Sequence, residues 1–264
     1  MKHLFVIGLI GGISICAHQS ITHDTIDSTT NDTVRINKKG PFVENDTVFL
    51  YRYASNTDGD YNFKDFYIET NRQSKSYQKV LEKVAAVSNN VTEWNIDHVN
   101  AQLKQIKEFH PAPLTKHPIP KQMQEGWMPL HSFQGKYYIN DLDVFHMFWI
   151  TDSLYIRNYM DGPTYYIIQS FKEISPGHYQ FSKAYRNSVD NIDIYMIDEK
   201  RKIAVFVKSS PGENYSNKGL FVAQETADLF DLIACRSRDM PINEVEYDEI
   251  DFDALLKPFK ENKK

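Results

Sequence analysis

The chain has 264 residues, of which 30 are basic and 35 acidic, giving a formal net charge of −5. That length supports one large or two small domains with a substantial core, and the acidic balance, relieved only by the short groups Lys38-Lys39 and Lys200-Arg201-Lys202, argues against a nucleic-acid partner. Tyr and Phe supply 16 residues each against three Trp, a load that favours strands and also suits ligand-lining walls.

Residues 1–17 open the chain with Met1, Lys2 and His3, an apolar run over 4–15, and a break after Ala17 into a polar stretch. This is the layout of a secretory signal peptide. The run is shorter than the ~20 apolar residues that span a bilayer. Two processing routes stay open: cleavage after Ala17, or lipidation of Cys16, where bulky Ile15 stands in place of the small residue a lipobox requires. Both routes place the protein in the periplasm, at the cell surface or outside the cell. Membrane attachment would then come only through an N-terminal lipid, and the Asn/Lys/Ile/Tyr-rich composition suits a bacterial host. Cys235 is left without a partner, and its neighbours Leu232, Ile233 and Ala234 predict a buried, inert thiol.

Residues 18–41 are rich in Thr, Ser, Asp and Asn and poor in large apolar side chains, which predicts a disordered linker. Residues 47–53 and 65–69 read as short strands around a turn at 56–60. That turn resembles a calcium loop until its opening position, where Ala54 stands in place of a carboxylate. Tyr77, Val80, Leu81, Val84 and Val87 form one helical stripe, capped by Ser74 or Ser76. Ile96, Val99, Leu103 and Ile106 form a second, capped by Asn95. Pro111, Pro113, Pro118 and Pro120 mark an extended connector. The expected organisation is therefore a signal peptide (1–17), a linker (18–41), an α/β segment (42–125) and a β-rich domain with a C-terminal tail (126–264).

Strands are predicted at 133–139, 144–150, 154–159, 164–174, 178–185, 192–197, 202–208 and 219–223, mostly joined by tight turns. Residues 144–150 are apolar on both faces and need cover from outside the sheet, which the two helices supply. A short helix is expected over 225–233 and a last helical turn near 254–256. The fold class is α+β, mainly β: a two-helix, short-strand segment packed on an antiparallel barrel or meandering sheet.

Phe133, Gly135 and Tyr138, with Tyr137 at the place of a tryptophan, resemble the first-strand motif of lipocalin-like (calycin) β-barrels over residues 130–138. The resemblance implies an eight-stranded barrel that binds a small apolar ligand, and it assigns no ligand residue. The strand reading offers Tyr137, His146, Phe148 and Tyr166 as lining side chains.

Motifs for chemistry are absent from the sequence: no Gly-x-Ser-x-Gly elbow, no His-Glu-x-x-His helix and no phosphate-binding glycine loop. The 11 glycines are too few and too scattered for a dinucleotide fold. His110, His117, His131 and His146 fit no zinc spacing. Asp141 and Asp143, beside Tyr137 and Tyr138, would be the carboxylate pair of a glycosidase only if space brought them to the right separation. Tyr155, Tyr159 and Tyr165 suit a sugar-stacking face or ordinary cross-strand pairing equally. No catalytic residue, metal ligand or cofactor is assigned. The expected function is an exported, non-catalytic envelope or extracellular protein that binds a small apolar ligand or a protein partner. A secreted ester or glycoside hydrolase and a structural or adhesion protein are the alternatives.

Overall fold

Alternating apolar and polar residues after position 154 produce strands with few interruptions. The computed structural model describes residues 35–57, 60–88, 96–159, 162–186, 188–212, 216–237 and 245–261. The expected signal peptide, Cys16 and most of the expected linker lie outside the described residues, as do Asn95 and the tip of the turn at 56–60. Among the described residues, no helix is long and apolar enough to cross a membrane.

The chain is mainly β. The first half carries β1 (Arg35–Glu44), β2 (Thr47–Thr57) and β3 (Asp60–Glu69), then α1 (Lys75–Ser88) and α2 (Ile96–Phe109). Next come β4 (Gly126–Pro129), β5 (His131–Phe133), β6 (Lys136–Asn140), β7 (Phe148–Ile150) and β8 (Leu154–Arg157). The rest holds β9 (Thr164–Ser175), β10 (His178–Tyr185), β11 (Ser188–Asp198), β12 (Ile203–Ser209), β13 (Ser216–Ala223), β14 (Asp231–Ser237) and α3 (Phe252–Glu261). Eight strands close into an antiparallel barrel in the order β4-β7-β8-β9-β10-β11-β12-β13, and β13 returns to β4 through Val222 opposite Met128. The other six form a separate sheet in the order β1-β2-β3-β14-β6-β5, antiparallel except where β14 runs beside β6.

This sheet draws strands from both sides of the boundary expected near residue 125. β3 pairs with β14 through Phe66 opposite Cys235, and β14 pairs with β6 through Leu232 opposite Ile139. The helices pack as their stripes require. Ser74 Oγ accepts the Tyr77 N–H at 3.1 Å and so caps α1, while Ser76 bonds Tyr67 instead. Tyr77, Val80 and Val84 of α1 and Val99 and Ile106 of α2 join one core with Trp149, Ile156 and Val205 from the barrel's outer face and Leu232 and Ala234 from the sheet. The barrel wall thus gains its outside cover, and sheet, helices and barrel share one apolar core. The C-terminal helix also docks, with Leu256 buried and the Phe259 ring 5.3 Å from that of Tyr195.

Four expectations need correction. Strand structure begins inside the expected linker: β1 starts at Arg35 and pairs along β2 from Arg35 opposite Ser55 to Glu44 opposite Thr47. Residues 133–139 are not one strand; Gln134 and Gly135, at φ of 49° and 72°, turn the chain back and make a β5–β6 hairpin. Residues 144–150 begin as the end of a 3₁₀ helix (Asp141–His146), started by the Asn140 side chain accepting the Leu142 N–H, and only Phe148–Ile150 is strand. Residues 225–233 divide between a 3₁₀ helix (Gln224–Leu229) and the start of β14.

Candidate functional site

The barrel interior can be followed strand by strand. One buried cluster takes Trp127 from β4, Phe148 and Ile150 from β7, Tyr155 from β8 and Ile168 from β9. It continues through Phe181 of β10, Ile192 and Ile194 of β11, Phe206 of β12 and Ala223 of β13. Rings from strands that are not neighbours touch across the axis. The Phe148 and Phe206 centroids lie 4.9 Å apart, Trp127 and Phe206 5.0 Å, and Tyr155 and Phe181 5.9 Å. Spacing of this kind is ring-to-ring packing. Side chains therefore occupy the axis where a lumen for a small apolar ligand was expected.

The four lining candidates separate. Phe148 lies in the middle of this interior, and Tyr166 packs against it from β9. Tyr137 is on β6, outside the barrel, in a surface depression with Lys136 and Arg201. His146 ends the 3₁₀ helix and is exposed, not held within a strand. The segment that resembles a barrel's first strand thus belongs to the neighbouring sheet, and the barrel's own first strand is the preceding β4.

One end of the interior is charged. Inward alternation carries Tyr155 to Arg157 on β8, Phe181 to Lys183 on β10, Ile192 back to Asp190 on β11 and Phe206 to Lys208 on β12. Antiparallel pairing brings these strand ends to the same rim. Lys183 is only 6% exposed. Its Nζ donates to Asp190 Oδ2 at 3.0 Å and sits 3.7 Å from the Tyr166 ring centre and 5.0 Å from that of Tyr155. Lys208 Nζ reaches the same Asp190 oxygen at 3.2 Å, and Ser210 Oγ donates to the other at 2.8 Å. Arg157 lies over the Tyr159 ring at 5.1 Å.

Titration follows from this geometry. Burial foremost holds the Lys183 ammonium below its usual range; Asp190 opposes that shift and the Lys208 and Arg157 charges add to it. Burial alone would raise Asp190, yet the Lys183 and Ser210 hydrogen bonds and the lysine charges outweigh it and hold the carboxyl below the ordinary range. The two shifts share a sign because Asp190 faces three donors, whereas Lys183 has one carboxylate and two like charges. Burial raises the Tyr166 hydroxyl, as does its bond to Tyr159.

A second feature is a groove of about 460 Å³ on the outside of the molecule. The last turns of α2 form one wall, the proline connector from Pro111 to Leu114 the other, and Leu154 of β8 closes it. Its lining is apolar apart from Lys107 and His110. Leu103, 40% exposed, points into it from α2. This breaks the expectation that the whole α2 stripe is core: Val99 and Ile106 are buried, Leu103 is not.

The residues considered for catalysis are dispersed. His131 Nε2 lies 2.6 Å from Asp143 and its ring stacks on Tyr247. His117 bonds the Ile168 carbonyl. Asp141 turns instead to Cys235, whose backbone N–H donates to its Oδ2 at 3.2 Å, so the two carboxylates serve different neighbours. A second pair, His178 Nε2 to Asp193 at 2.8 Å, lies under α3 beside Tyr195. Neither histidine bonds a hydroxyl or thiol among the described residues, so the nucleophile that a Ser-His-Asp-type relay needs is missing from both pairs. No group of three or more His, Cys, Asp or Glu side chains that could hold a metal occurs among the described residues. The large exposed apolar residues Val43, Leu103, Phe145, Ile174 and Leu229 sit on five different elements.

Sequence reading missed the charged rim, although a signal was present. On four strands the period-2 inward face runs from apolar residues into a charged one, as in Tyr179-x-Phe181-x-Lys183 and Ala204-x-Phe206-x-Lys208. A charge on an otherwise inward face is unusual enough to mark a position. Fold and site together define a mainly β protein with a closed, side-chain-filled eight-stranded barrel, a covering sheet and helices, an apolar groove beside α2 and a charged rim at one barrel end. No protein-family model, curated protein or solved structure matches the chain.

Proposed function

We propose that this chain is an exported, non-catalytic binding protein, and that its ligand is a small amphiphile held in the α2–connector groove rather than in the barrel. Export rests on the leader-like residues 1–17. The observation that carries the binding reading is the groove: concave, within the ~300–1,000 Å³ of small-molecule sites, and apolar with two polar groups at its edge. A short acyl or similar chain would lie against Leu103, Leu114 and Leu154. An anionic head would face Lys107 and His110; Lys107 has no carboxylate partner among the described residues. The driving force is removal of apolar area from water, roughly 25 cal/mol per Å² before the costs of ordering the ligand.

The test is titration with laurate and with the uncharged alcohol of equal chain length, followed by displacement of an environment-sensitive fluorescent fatty acid. Saturable binding of both is expected, tighter for laurate. Leu103→Asp should abolish it, because the charge enters the trough at an already exposed position. Lys107→Gln should remove the preference for laurate while sparing the alcohol. Absence of saturable binding, or binding indifferent to Leu103→Asp, overturns the reading. The hydrolase alternative gains nothing from the two His–Asp pairs, which bond no hydroxyl or thiol among the described residues.

A further inference from the structure

Among the described residues, the charged barrel rim holds three cations to one carboxylate. Arg157, Lys183 and Lys208 converge there, and among the described residues the acid bonded to them is Asp190. That acid is already engaged: both lysines bond Oδ2, and Ser210 bonds Oδ1. The guanidinium of Arg157 offers five N–H donors and has no carboxylate partner among the described residues, only the Tyr159 ring. Three cations on the inner faces of the alternate strands β8, β10 and β12 repel one another at this end of the barrel, and a counter-ion relieves such crowding. Residue exposure grades from the buried Lys183 outward to Lys208, whose side chain is 46% exposed, so the rim is open to solvent on one side.

We infer that this rim is a binding site for a small doubly charged oxyanion, a phosphate or sulfate group, held between Arg157 and Lys208 above the fixed Lys183–Asp190 pair. Each part has a distinct role. Arg157 supplies the planar two-donor fork that suits such a group. Lys208 supplies a half-exposed charge from the opposite wall. Lys183 is locked between the Tyr166 ring and Asp190 and contributes field rather than contact. Asp190 keeps the lysines placed and, by its negative charge, favours a group whose oxygens point away from it toward Arg157. The tyrosine rings at 155, 159 and 166 make the surround apolar, which strengthens the attraction over that in open water. This site is separate from the α2–connector groove and does not depend on it.

The experiment is calorimetric titration of the full chain with inorganic phosphate, sulfate and glycerol 3-phosphate, against chloride at matched ionic strength. Saturable binding of one anion per chain is expected, lost or weakened by at least about tenfold in Arg157→Gln and in Lys208→Gln, the size of losing one charge-assisted hydrogen bond. Lys107→Gln should leave it unchanged. Tighter binding of glycerol 3-phosphate than of phosphate would assign the site to an esterified headgroup; equal binding would assign it to the free anion. Either ranking supports the site. Lys183→Met is the more drastic variant; a thermal melt run beside it separates loss of binding from loss of fold. A titration indistinguishable from chloride, or binding that survives both Arg157→Gln and Lys208→Gln in folded protein, overturns the inference, whatever the outcome of the laurate titration.

Discussion

Asp141 is the residue at which burial and charge are most at odds. Loss of hydration raises its carboxyl to about 6, with the Cys235 N–H, Lys83 and Lys79 pulling the other way and Asp143 adding to the rise, while Oδ1 has no hydrogen-bond partner. Its folded pKa therefore lies above the ordinary carboxylate value, and the sign of the consequence is fixed. Between about pH 4 and 6 the folded form keeps a proton that the unfolded chain has released. Stability from this group thus falls as pH rises through that window and stays low above it. The cost at neutral pH is about 2–3 kcal/mol, from two units at ~1.4 kcal/mol each. Asp141→Asn retains an oxygen for the Cys235 N–H and removes the titration. Urea melts of both proteins from pH 4 to 7.5 should show the variant gaining on the parent by roughly that amount across the window; parallel curves would show that this carboxyl ionises freely. The neighbouring thiol fits the same local picture. Burial, then the Asp141 charge, lifts Cys235 up to about 12, while its side chain is half-buried rather than fully buried as expected.

Among the elements, the seam between β4 and β7 leaves no room for a side chain at Gly126. Gly126 stands opposite Trp149, and a Cβ there would run into the Trp149 indole and the Gln224 side chain. Gly126→Ala must push the indole away from the wall where the barrel closes, and overpacking of this kind costs typically 1–3 kcal/mol. A lower urea midpoint with an unchanged slope is the expected result; an unchanged midpoint would mean that the seam has slack. The sequence exposed elements unevenly. Strands β9 to β11 were legible because they alternate between local turns, β12 and β13 because short apolar runs lie between turns, and the helices because most of each stripe faces the core. β4 was not, since Gly-Trp-Met-Pro is too short to show a period. β14 was not, because Leu232 to Cys235 is a continuous apolar run that reads equally as buried helix. Its partners also lie far off in sequence: Arg236 pairs with Asp65 across 171 positions. The groove was half legible. The α2 stripe was seen, but what it faces is set by the proline connector, whose path no local pattern fixes.

At the scale of the whole molecule, β14 decides whether the barrel and the sheet can unfold separately. Its Leu232 and Ala234 enter the core shared with the barrel wall and helices, while Ile233 and Cys235 belong to the sheet's other face, with Phe66 and Tyr138. A strand buried on both faces and paired on both edges, to β3 and to β6, ties the N-terminal hairpin to the barrel. Opening the sheet would bare Ile139 and Leu232 together with the outer barrel wall they pack on, at Trp149, Ile156 and Val205, so the two units should melt together. Two reporters sit on opposite sides of this junction: Trp127 in the barrel interior and the Cys235 thiol in the sheet. In a Cys16→Ser, Trp94→Phe, Trp149→Phe background, which leaves Trp127 as the one tryptophan, thiol labelling and tryptophan emission should follow one urea transition. Leu232→Ala should move both by the same amount, on the order of 2–5 kcal/mol for a buried leucine truncated to alanine. Labelling of Cys235 at lower urea than the emission change would mean that the sheet opens while the barrel stands, and that β14 is a docked strap rather than a shared beam.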